Sequence, residues 1–535
     1  MQMNDKSYEI LDLFKKYGAD KEGILKILEA DSRPEVLYAL SDIRRNLMDW
    51  MDFSGQEHVL QLGSDYGVIT GLLAERCASV AVVDERDENL VVNQKMNEAH
   101  TNISYMKAAD FQKMEAVEKE GKYDLVVLRA DRPDMDIKEC FTRLSSYLSE
   151  NGKLIFACEN ALGLNFLSGA VHDEDETAFT KGELEEALKE AGLSKVEFYY
   201  PMPEYKRAVS VYSDRYLPGK GDIPHVTAVY DRQRWACIHE DEISDKLVQE
   251  KAFGLFSNAY LAVASKGAES FKTVFAKYNS TRKEEFQIRT AILEENGKRY
   301  VEKTPLTEKA AGHISSMSEK YEKLSKVNSG VKVLAPVYSE DKKAVRFEFL
   351  KGRTLAEILG EQIRGKKAPV EALKAAIDQV FGQAVLKNEP FAPTDPFKEV
   401  FGDSEDVLSL QDTSYEVSNI DGLFENLMET EDGLYCMDYE WVFDFPIPSG
   451  FVRYRNLVYF YYKYEGLMEY ENATQFLKEF GMDEKLAETY ASMEVAFQTW
   501  VHGDGTQGYL GNYKQRLVTL EELKAQEKEL AQARE

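Results

Sequence analysis

The sequence predicts an α/β domain with a parallel sheet, then an α+β domain and a short C-terminal helix. Short apolar strands alternate with helical stretches through the first half, which is typical of a parallel sheet with helices on both faces. From residue 267, strand hairpins precede one long helix and two further strands, and beyond Thr354 the pattern is mostly helical. The tail from residue 513 carries spaced leucines among mixed charges, which indicates a helix.

Composition excludes several classes of protein. The chain has 535 residues, enough for at least two domains at roughly 100–200 residues each. Its formal net charge of −28 opposes binding to polyanions, so no nucleic acid partner is expected. The cysteines are widely spaced and form no CxxC pair, which indicates reduced thiols. There is neither an apolar run long enough for a transmembrane segment nor a signal peptide, so a cytoplasmic location is expected.

Changes in the residue pattern define the expected domains. These are an N-terminal helical collar (1–55), an α/β domain (56–266) with an insertion (204–255), an α+β domain (267–512) and a helical tail (513–535). The tail fits either a short coiled coil or a solvent-exposed surface helix. If the tail is a coiled coil, the protein would oligomerise through this C-terminal helix.

A glycine-rich turn follows the first strand of the α/β domain, in the run VLQLGSDYGVIT from Val59 to Thr70. Gly63 and Gly67 let the backbone approach a ligand closely, and the helix that follows points N–H groups at it. Asp84 ends the next strand, about 20 residues on, where a carboxylate can accept bonds from ribose hydroxyls. Asp110, after the third strand, adds a polar group where an adenine edge would lie.

These positions resemble the motifs of class I S-adenosylmethionine-dependent methyltransferases, which have a Rossmann-like sheet ending in an antiparallel strand pair. The resemblance implies that Asp84 binds the ribose of S-adenosylmethionine. The loop residues implied to bind its amino-acid part are Gly63, Ser64, Asp65 and Gly67. Gln61 stands where an acid is common, and Asp65 replaces the middle glycine, where its side chain would crowd the cofactor or bond its ammonium group. Dinucleotide binding and a structural domain without cofactor are the competing interpretations.

The α+β domain contains the residue types that phosphoryl transfer requires. That reaction needs a lysine on the phosphates, carboxylates for magnesium and an acid beside the acceptor hydroxyl. Lys303, in YVEK, lies on the third strand and matches the nucleotide-binding lysine of a protein kinase. Glu322 on the following helix is expected to pair with Lys303, with Glu319 as the alternative.

Further along, the segment NIDGLFEN has the D-x-x-x-x-N spacing of a kinase catalytic loop. Asp421 would orient or deprotonate the acceptor, and Asn426 would bind Mg²⁺. Asp438, in YCMDYEW, follows a short strand and would hold the magnesium that bridges the phosphates of ATP. Two features depart from kinases: Asn419 replaces the usual histidine, and the turn NSTRKE lacks a glycine that could cover the phosphates.

The whole chain is similar to fused methyltransferase and kinase-like proteins of bacterial polysaccharide gene clusters, including enzymes that cap O-polysaccharide chains. The phrases that carry this likeness are LSDIRRNL, ENALGLNF, FYYPMPEYK, VYSDRYLP, FSNAYL and MDYEWVFDFPIP. It implies methylation of a sugar hydroxyl on a cell-surface glycan or its lipid-linked precursor, a second phosphotransferase activity with ATP and Mg²⁺, and glycosyltransferases as partners. The alternative is a partly degenerate scaffold of a glycan-assembly complex, without methyl transfer.

Overall fold

The computed structural model describes residues 6–115, 122–130, 135–170, 177–223, 234–236, 238, 240–327, 330–339, 344–381, 386–415, 417–503 and 517–534. The chain divides into two compact units, Met1–Tyr278 with Tyr509–Glu535, and Asn279–Gly508. Part of the expected insertion, at 224–233, 237 and 239, and the start of the expected tail, 513–516, lie outside the described residues.

The first unit contains a large mixed sheet and a separate strand pair. Its strands are β1 (His58–Leu62), β2 (Ser79–Asp84), β3 (Ile103–Lys107), β4 (Tyr123–Arg129), β5 (Leu148–Glu159), β6 (Lys195–Met202), β7 (Ser210–Ser213), β8 (Arg234–Ala236), β9 (Ala259–Ser265), β10 (Thr273–Tyr278) and β23 (Leu517–Thr519). Strands β1 to β5 pair in parallel, in the order β3-β2-β1-β4-β5. This confirms the predicted parallel sheet.

An antiparallel group completes this sheet. Strand β9 runs antiparallel between β5 and β6, and β7 and β10 extend the edge beyond β6. Part of the stretch predicted as an insertion, 204–255, therefore belongs to the sheet through β7. The segment FKTVFAKYN lies within the range 267–512 that was expected for the α+β domain, but as β10 it pairs with β7 and belongs to the first unit.

The helices of the first unit follow the expected alternation with strands. They are α1 (Lys6–Tyr17), α2 (Lys21–Ala30), α3 (Pro34–Leu40), α4 (Val68–Arg76), α5 (Asp87–Met96), α6 (Ala108–Glu115), α7 (Ile137–Ser145), α8 (Leu164–Leu167), α9 (Lys181–Glu190), α10 (Glu240–Gln249), α11 (Phe253–Phe256) and α21 (Leu520–Arg534). Helix α9 begins with a capping box between Thr180 and Glu183, and Gly192 follows its end with a φ of +79°. In the tail, β23 pairs in parallel with β8 before α21 begins, so the helix starts later than predicted.

The N-terminal helices form their own small core. Helices α1 to α3 bury a cluster that includes Ile27, Leu28 and Leu40, and Val92 of α5 packs into it. A 3-10 turn at Asp42–Leu47 follows α3. Tyr66 of the glycine-rich loop packs against the same cluster, so the collar contacts the predicted cofactor loop directly.

The second unit contains several groups of paired strands and a helical part. Its strands are β11 (Ile288–Glu295), β12 (Lys298–Pro305), β13 (Lys332–Val333), β14 (Val337–Ser339), β15 (Ala344–Glu348), β16 (Arg353–Thr354), β17 (Leu386–Pro390), β18 (Thr413–Tyr415), β19 (Ser418–Asn419), β20 (Leu427–Thr430), β21 (Gly433–Cys436) and β22 (Val442–Phe443). Its helices are α12 (Ala311–Ser315), α13 (Met317–Val327), α14 (Leu355–Gly360), α15 (Val370–Phe381), α16 (Asp395–Phe401), α17 (Glu405–Leu408), α18 (Ser449–Tyr464), α19 (Ala473–Lys478) and α20 (Glu484–His502).

Strands β11, β12, β15 and β14 lie side by side in an antiparallel arrangement. The one long helix that was expected after the hairpins is divided into α12 and α13, which connect β12 to the strands that follow. Strands β20 and β21 form a hairpin flanked by β16 and β13, and β19 pairs with β22. A single apolar core joins these strands to the long helices α18 and α20.

Within the part of the chain that the structure describes, no helix is both long enough and apolar enough to cross a membrane.

Candidate functional site

The glycine-rich loop lies at the carboxyl end of β1. Gly63 has a φ of +78° and Gly67, the N-cap of α4, has a φ of +108°, conformations that glycine adopts without steric cost. Asp65 has a φ of +50°, which is uncommon for a residue with a side chain. The strand order reverses between β1 and β4, and ligands bind sheets of this kind outside the carboxyl ends of the strands at such a switch point.

Asp84, at the end of β2, holds this loop in place. Its Oδ2 accepts bonds from the backbone N–H and the Oγ of Ser64, both at 2.7 Å. Its Oδ1 accepts from the N–H of Arg86 at 2.8 Å. Because both oxygens already accept bonds from the protein, the structure assigns Asp84 a role in shaping the loop, and its ribose contact stays a prediction.

Buried amides support the loop from behind. Asn93 donates to the carbonyl of Ser64 at 3.0 Å, and Asn97 donates to that of Gly67 at 3.0 Å. Gln61 accepts a bond from the hydroxyl of Thr70 at 2.8 Å. The glutamine that departs from the methyltransferase pattern is therefore satisfied within the protein, as part of a neutral polar network.

The side chain of Asp65 lies in a buried ion cluster, which we call the Asp65 cluster. Its carboxylate, 9% exposed, pairs with Arg44 of the collar and with Arg129 at the carboxyl end of β4, the latter at 3.0 Å. Tyr38 donates to Oδ2 of Asp65 at 3.2 Å and accepts from both arginines. Burial opposes ionisation, but Arg129 and Arg44 outweigh it and lower the pKa of Asp65. The carboxylate is thus engaged by guanidinium groups and does not point freely toward a ligand's ammonium group.

Arg44 keeps bonding capacity after this pairing. Its side chain is only 5% exposed, and its Nε and Nη1 are buried and donate to no described residue. Buried donors of a charged group are normally satisfied. The Asp65 cluster therefore contains buried guanidinium donors that pair with no described residue.

Sequence patterns alone missed three of these residues. Arg129 directly follows the apolar run LVVL at the end of β4, and a charged residue at that position is a sequence signal for a site residue. Arg44 lies within the phrase LSDIRRNL but was given no role, and Tyr38 carried no signal.

Asp110 lies in the first turn of α6, directly after β3, and is exposed.

In the second unit, Lys303 of β12 is buried between two carboxylates. Its Nζ lies 2.7 Å from Asp438 and 2.6 Å from Glu440. Burial alone would lower the pKa of Lys303, but these carboxylates outweigh it and raise the pKa. The structure therefore brings together the lysine and the aspartate that were predicted for a phosphotransfer site.

The predicted pair between Lys303 and Glu322 is wrong. Glu322 is exposed on α13, and the alternative, Glu319, pairs with Lys323 on the surface at 2.7 Å. Glu440 takes their place beside Lys303. The sequence signal was present two residues after Asp438, in MDYEW, but spacing could not show which acid reaches the lysine.

Glu440 is the most heavily paired acid of this site. Besides Lys303, it binds Arg282 at 2.6 Å, and the ring of His313 lies 3.8 Å from its Oε2. Its backbone carbonyl accepts a bond from Lys320. Burial opposes ionisation, but Lys303 and Arg282 outweigh it and lower the pKa of Glu440 well below its usual range.

The predicted catalytic loop lies next to these groups. The Oδ2 of Asp421 accepts the backbone N–H of Trp441 at 3.0 Å, and the guanidinium of Arg455 lies 4.0 Å from its Oδ1. The amide of Asn426 donates to the carbonyl of Asp421 at 2.9 Å. Asn419, in place of the usual histidine, binds the Sγ of Cys436 at 3.3 Å and caps the N–H of Asp421 at 3.0 Å.

Asp421 is poised to exchange a proton near neutral pH. Burial and the nearby charge of Asp438 raise the pKa of Asp421 to about 7. A general base works best when its pKa lies near the operating pH. The raised pKa therefore suits the role that the sequence predicted for this residue.

The same shift makes stability depend on pH. The folded protein keeps the proton of Asp421 up to about pH 7, whereas an unfolded chain releases it near pH ~4, so this group lowers stability as pH rises through that window. We expect Asp421→Asn to raise the Tm of the second unit at pH 8 by ~4 °C or more and to leave it unchanged at pH 4. Calorimetry at both pH values measures this. The exposed Asp432, changed to Asn, should show no pH-dependent gain, and an unchanged Tm for Asp421→Asn at pH 8 would contradict the expectation.

Among the described residues, no three or more His, Cys, Asp or Glu side chains are arranged as a ready-made metal site. Mg²⁺ is commonly held by one or two carboxylates together with substrate phosphates, so a full protein cage is not required. Asp438 is 34% exposed, and the amide oxygen of Asn426 remains available after its nitrogen bonds Asp421. These two groups fit the role of magnesium ligands.

Comparisons based on sequence give no match: no family model and no curated protein matches the chain. Solved structures do align with it. A S-adenosylmethionine-dependent methyltransferase from Archaeoglobus fulgidus is 14% identical over 46% of this chain and 99% of its own, with a TM-score of 0.29. One from Mesorhizobium loti is 14% identical over 42% and 97%, with a TM-score of 0.25.

A third alignment is with phosphoethanolamine N-methyltransferase 1 from Haemonchus contortus, whose structure contains phosphoethanolamine and S-adenosylhomocysteine. It is 13% identical over 51% of this chain and 52% of that chain, with a TM-score of 0.28. The strand order β3-β2-β1-β4-β5-β9-β6, with β9 antiparallel, is what gives the first unit the Rossmann-like fold of a class I methyltransferase.

Proposed function

We propose that the first unit binds S-adenosylmethionine at the glycine-rich loop and acts as a methyltransferase. The observation that carries the proposal is the loop itself. Its backbone is held by Asp84 and Asn93 at the switch point of the sheet, and the Asp65 cluster leaves buried donors of Arg44 unused there. When bound, the cofactor supplies an electrophilic methyl group, and the protein has mainly to align it with a nucleophile.

Binding of S-adenosylhomocysteine by the full chain, measured by calorimetry, tests this proposal. We expect binding at or below millimolar concentration. Binding by Asp84→Asn should be weaker, because an amide has one acceptor oxygen where the carboxylate has two and cannot accept both sets of loop bonds and a ribose hydroxyl. Asp87→Asn is the control, since it removes an exposed carboxylate of the same unit, paired with Lys107. No binding at millimolar concentration would overturn the proposal and favour a scaffold without methyl transfer.

We further propose that the second unit is a kinase-like phosphotransferase. The proximity of Lys303, Asp438 and Asp421 supports it, as does the order of elements around them. The segment from Asp421 to Asn426 lies between β19 and the hairpin of β20 and β21, and Asp438 follows that hairpin. Kinase catalytic loops and their magnesium-binding aspartate follow the same sequence of roles.

In this proposal each residue has one task. Lys303 neutralises the phosphates of ATP, and Asp421 accepts the proton of the acceptor hydroxyl. Asp438 and Asn426 would hold Mg²⁺, which when bound neutralises charge on the transferring phosphoryl group. Lys303 has to share its charge between ATP and Glu440, which predicts weak nucleotide binding.

Calorimetry with Mg-ATP tests the second proposal. We expect binding by the full chain and its loss in Asp438→Ala. Asp432→Ala is the matched control, because Asp432 lies exposed in the turn between β20 and β21. Equal binding by wild type and Asp438→Ala would overturn the assignment.

The acceptor that we propose for both units is a sugar hydroxyl of a cell-surface glycan or its lipid-linked precursor. Its support is the sequence resemblance to polysaccharide-cluster proteins. Transfer of labelled methyl or phosphoryl groups to a panel of lipid-linked saccharides tests it, with free nucleosides as controls. Transfer to none of the saccharides by a protein that binds both cofactors would overturn this acceptor class.

A further inference from the structure

The Asp65 cluster places an internal carboxylate at the edge of the proposed cofactor site. Asp65 extends from the glycine-rich loop, Arg44 from the collar and Arg129 from the end of β4, so three separate elements converge on one ion cluster. The carboxyl ends of β1 and β4 flank the switch point, where a ligand of this fold is expected to bind. The cluster therefore occupies ligand-facing positions rather than a distant part of the core.

The bonds that Arg44 and Arg129 already make with Asp65 limit the hydrogen bonds that a ligand's carboxylate can accept from them. A carboxylate binds a guanidinium best through two parallel bonds along one edge. The two edges that can do this, Nε with Nη2 and Nη1 with Nη2, both include Nη2. On Arg44, Nη2 bonds both Asp65 and the hydroxyl of Tyr38, so both of its hydrogens are used. On Arg129, Nη2 pairs with Asp65 and Nη1 donates to Tyr38. Until Asp65 withdraws, neither edge of Arg44 is open for two parallel bonds, and this guanidinium can give a ligand carboxylate only single bonds, from Nε or Nη1.

Asp65 is also held firmly in this position. Its backbone has a φ of +50°, which an aspartate tolerates better than most residues but which still favours glycine. Tyr38 donates to the same carboxylate oxygen that Arg44 binds. Three polar partners therefore fix the Asp65 side chain although its backbone is strained, and retained strain of this kind is typical of functional sites.

We propose that Asp65 determines ligand specificity, because its carboxylate takes the place at Arg44 and Arg129 that a ligand's own carboxylate would fill. The site then favours adenosine thioethers that lack a carboxylate, and it gains little from the amino-acid part of S-adenosylmethionine. This inference rests on the proposed cofactor binding of the first unit and adds the selectivity of that site.

Two ligands that differ in the amino-acid part test the inference by calorimetry on the full chain. S-adenosylhomocysteine carries the carboxylate, whereas 5′-methylthioadenosine keeps the nucleoside and thioether without it. We expect wild type to bind both with comparable affinity. In Asp65→Gly, the preference for S-adenosylhomocysteine over methylthioadenosine should rise by about tenfold or more, the size of a charge-assisted hydrogen bond.

Two further variants separate charge, shape and folding. Asp65→Asn keeps the side-chain shape but removes the charge. We expect a smaller rise in the ratio of the affinity for S-adenosylhomocysteine to that for methylthioadenosine. This variant tests the inference if Asp65→Gly does not fold. Asp87→Asn removes one exposed negative charge and should leave the ratio unchanged. A ratio that stays constant or falls in both Asp65 variants, with binding retained, would overturn this inference alone. Absence of binding of either ligand to every protein would overturn the proposed cofactor site and this inference with it.

Discussion

Replacing Glu440 by glutamine should lower the free energy of unfolding of the second unit by about 3 kcal/mol or more. Glu440 is 4% exposed, and its carboxylate pairs with Lys303 and Arg282, both at 2.6 Å. The amide has no charge, so two buried cations lose their shared partner, while Asp438 remains to compensate only Lys303. Removing one member of a buried ion pair leaves an uncompensated charge in a medium that solvates it poorly.

Urea unfolding of the full chain measures this effect, and hydrogen exchange in peptides from β12 and β21 assigns it to the second unit. Asp444→Asn is the control, because Asp444 pairs with Lys323 on the surface, where such pairs contribute about 0–1 kcal/mol. The double variant Glu440→Gln with Lys303→Met should recover part of the loss, since it removes a cation along with the anion. A loss for Glu440→Gln no larger than that for Asp444→Asn would contradict the buried network.

Substituting alanine for Gly67 should destabilise the first unit by about 2–5 kcal/mol, because backbone strain and overpacking add. Gly67 has a φ of +108°, and a Cβ there would lie 2.6 Å from the Nδ2 of Asn97 and 3.1 Å from the Cγ of Asn93. Both asparagines hold carbonyls of the loop, so neither can move without breaking a buried bond. The loop that positions the proposed cofactor would be disturbed together with the fold.

Gly192→Ala separates the two causes. Gly192 has a similar positive φ of +79°, but a Cβ there would meet no heavy atom within 4 Å. Its substitution should cost only the backbone term, about 1–2 kcal/mol. Thermal unfolding of both variants measures the difference, and equal losses would show that Asn93 and Asn97 do not constrain the loop.

The sequence predicts those features of the fold that depend on residues close together in the chain, and it does not predict those that depend on distant residues. The parallel strands are buried on both faces, so they read as near-continuous apolar runs that can be recognised locally. The turn at Gly63 and Gly67 and the acid at Asp84 follow from the strand–turn–helix pattern in the same way. The position of β10 could not be predicted, because which sheet edge a strand joins depends on pairing with distant residues.

The partners of charged side chains were harder to predict from the sequence than the helices and strands. The sequence separates Lys303 from Asp438 and Glu440 by more than a hundred positions. Kinase spacing singled out both Lys303 and Asp438, which the structure places together, but it assigned the paired acid to α13, where Glu322 is in fact exposed. Several acids have a spacing that would allow them to pair with Lys303. Only the packing of the folded chain decides which of them is buried beside the lysine and forms the ion pair.

By itself, the sequence determined the class of the first unit, the glycine-rich loop and the residue types of the proposed phosphotransfer site, because periodicity and short spacings encode these locally. The tertiary structure alone decided that Asp65 meets Arg44 and Arg129, and that Glu440 replaces Glu322 beside Lys303. Both outcomes are choices of charge partner in a buried environment. They depend on which elements converge in space, and no local pattern records that.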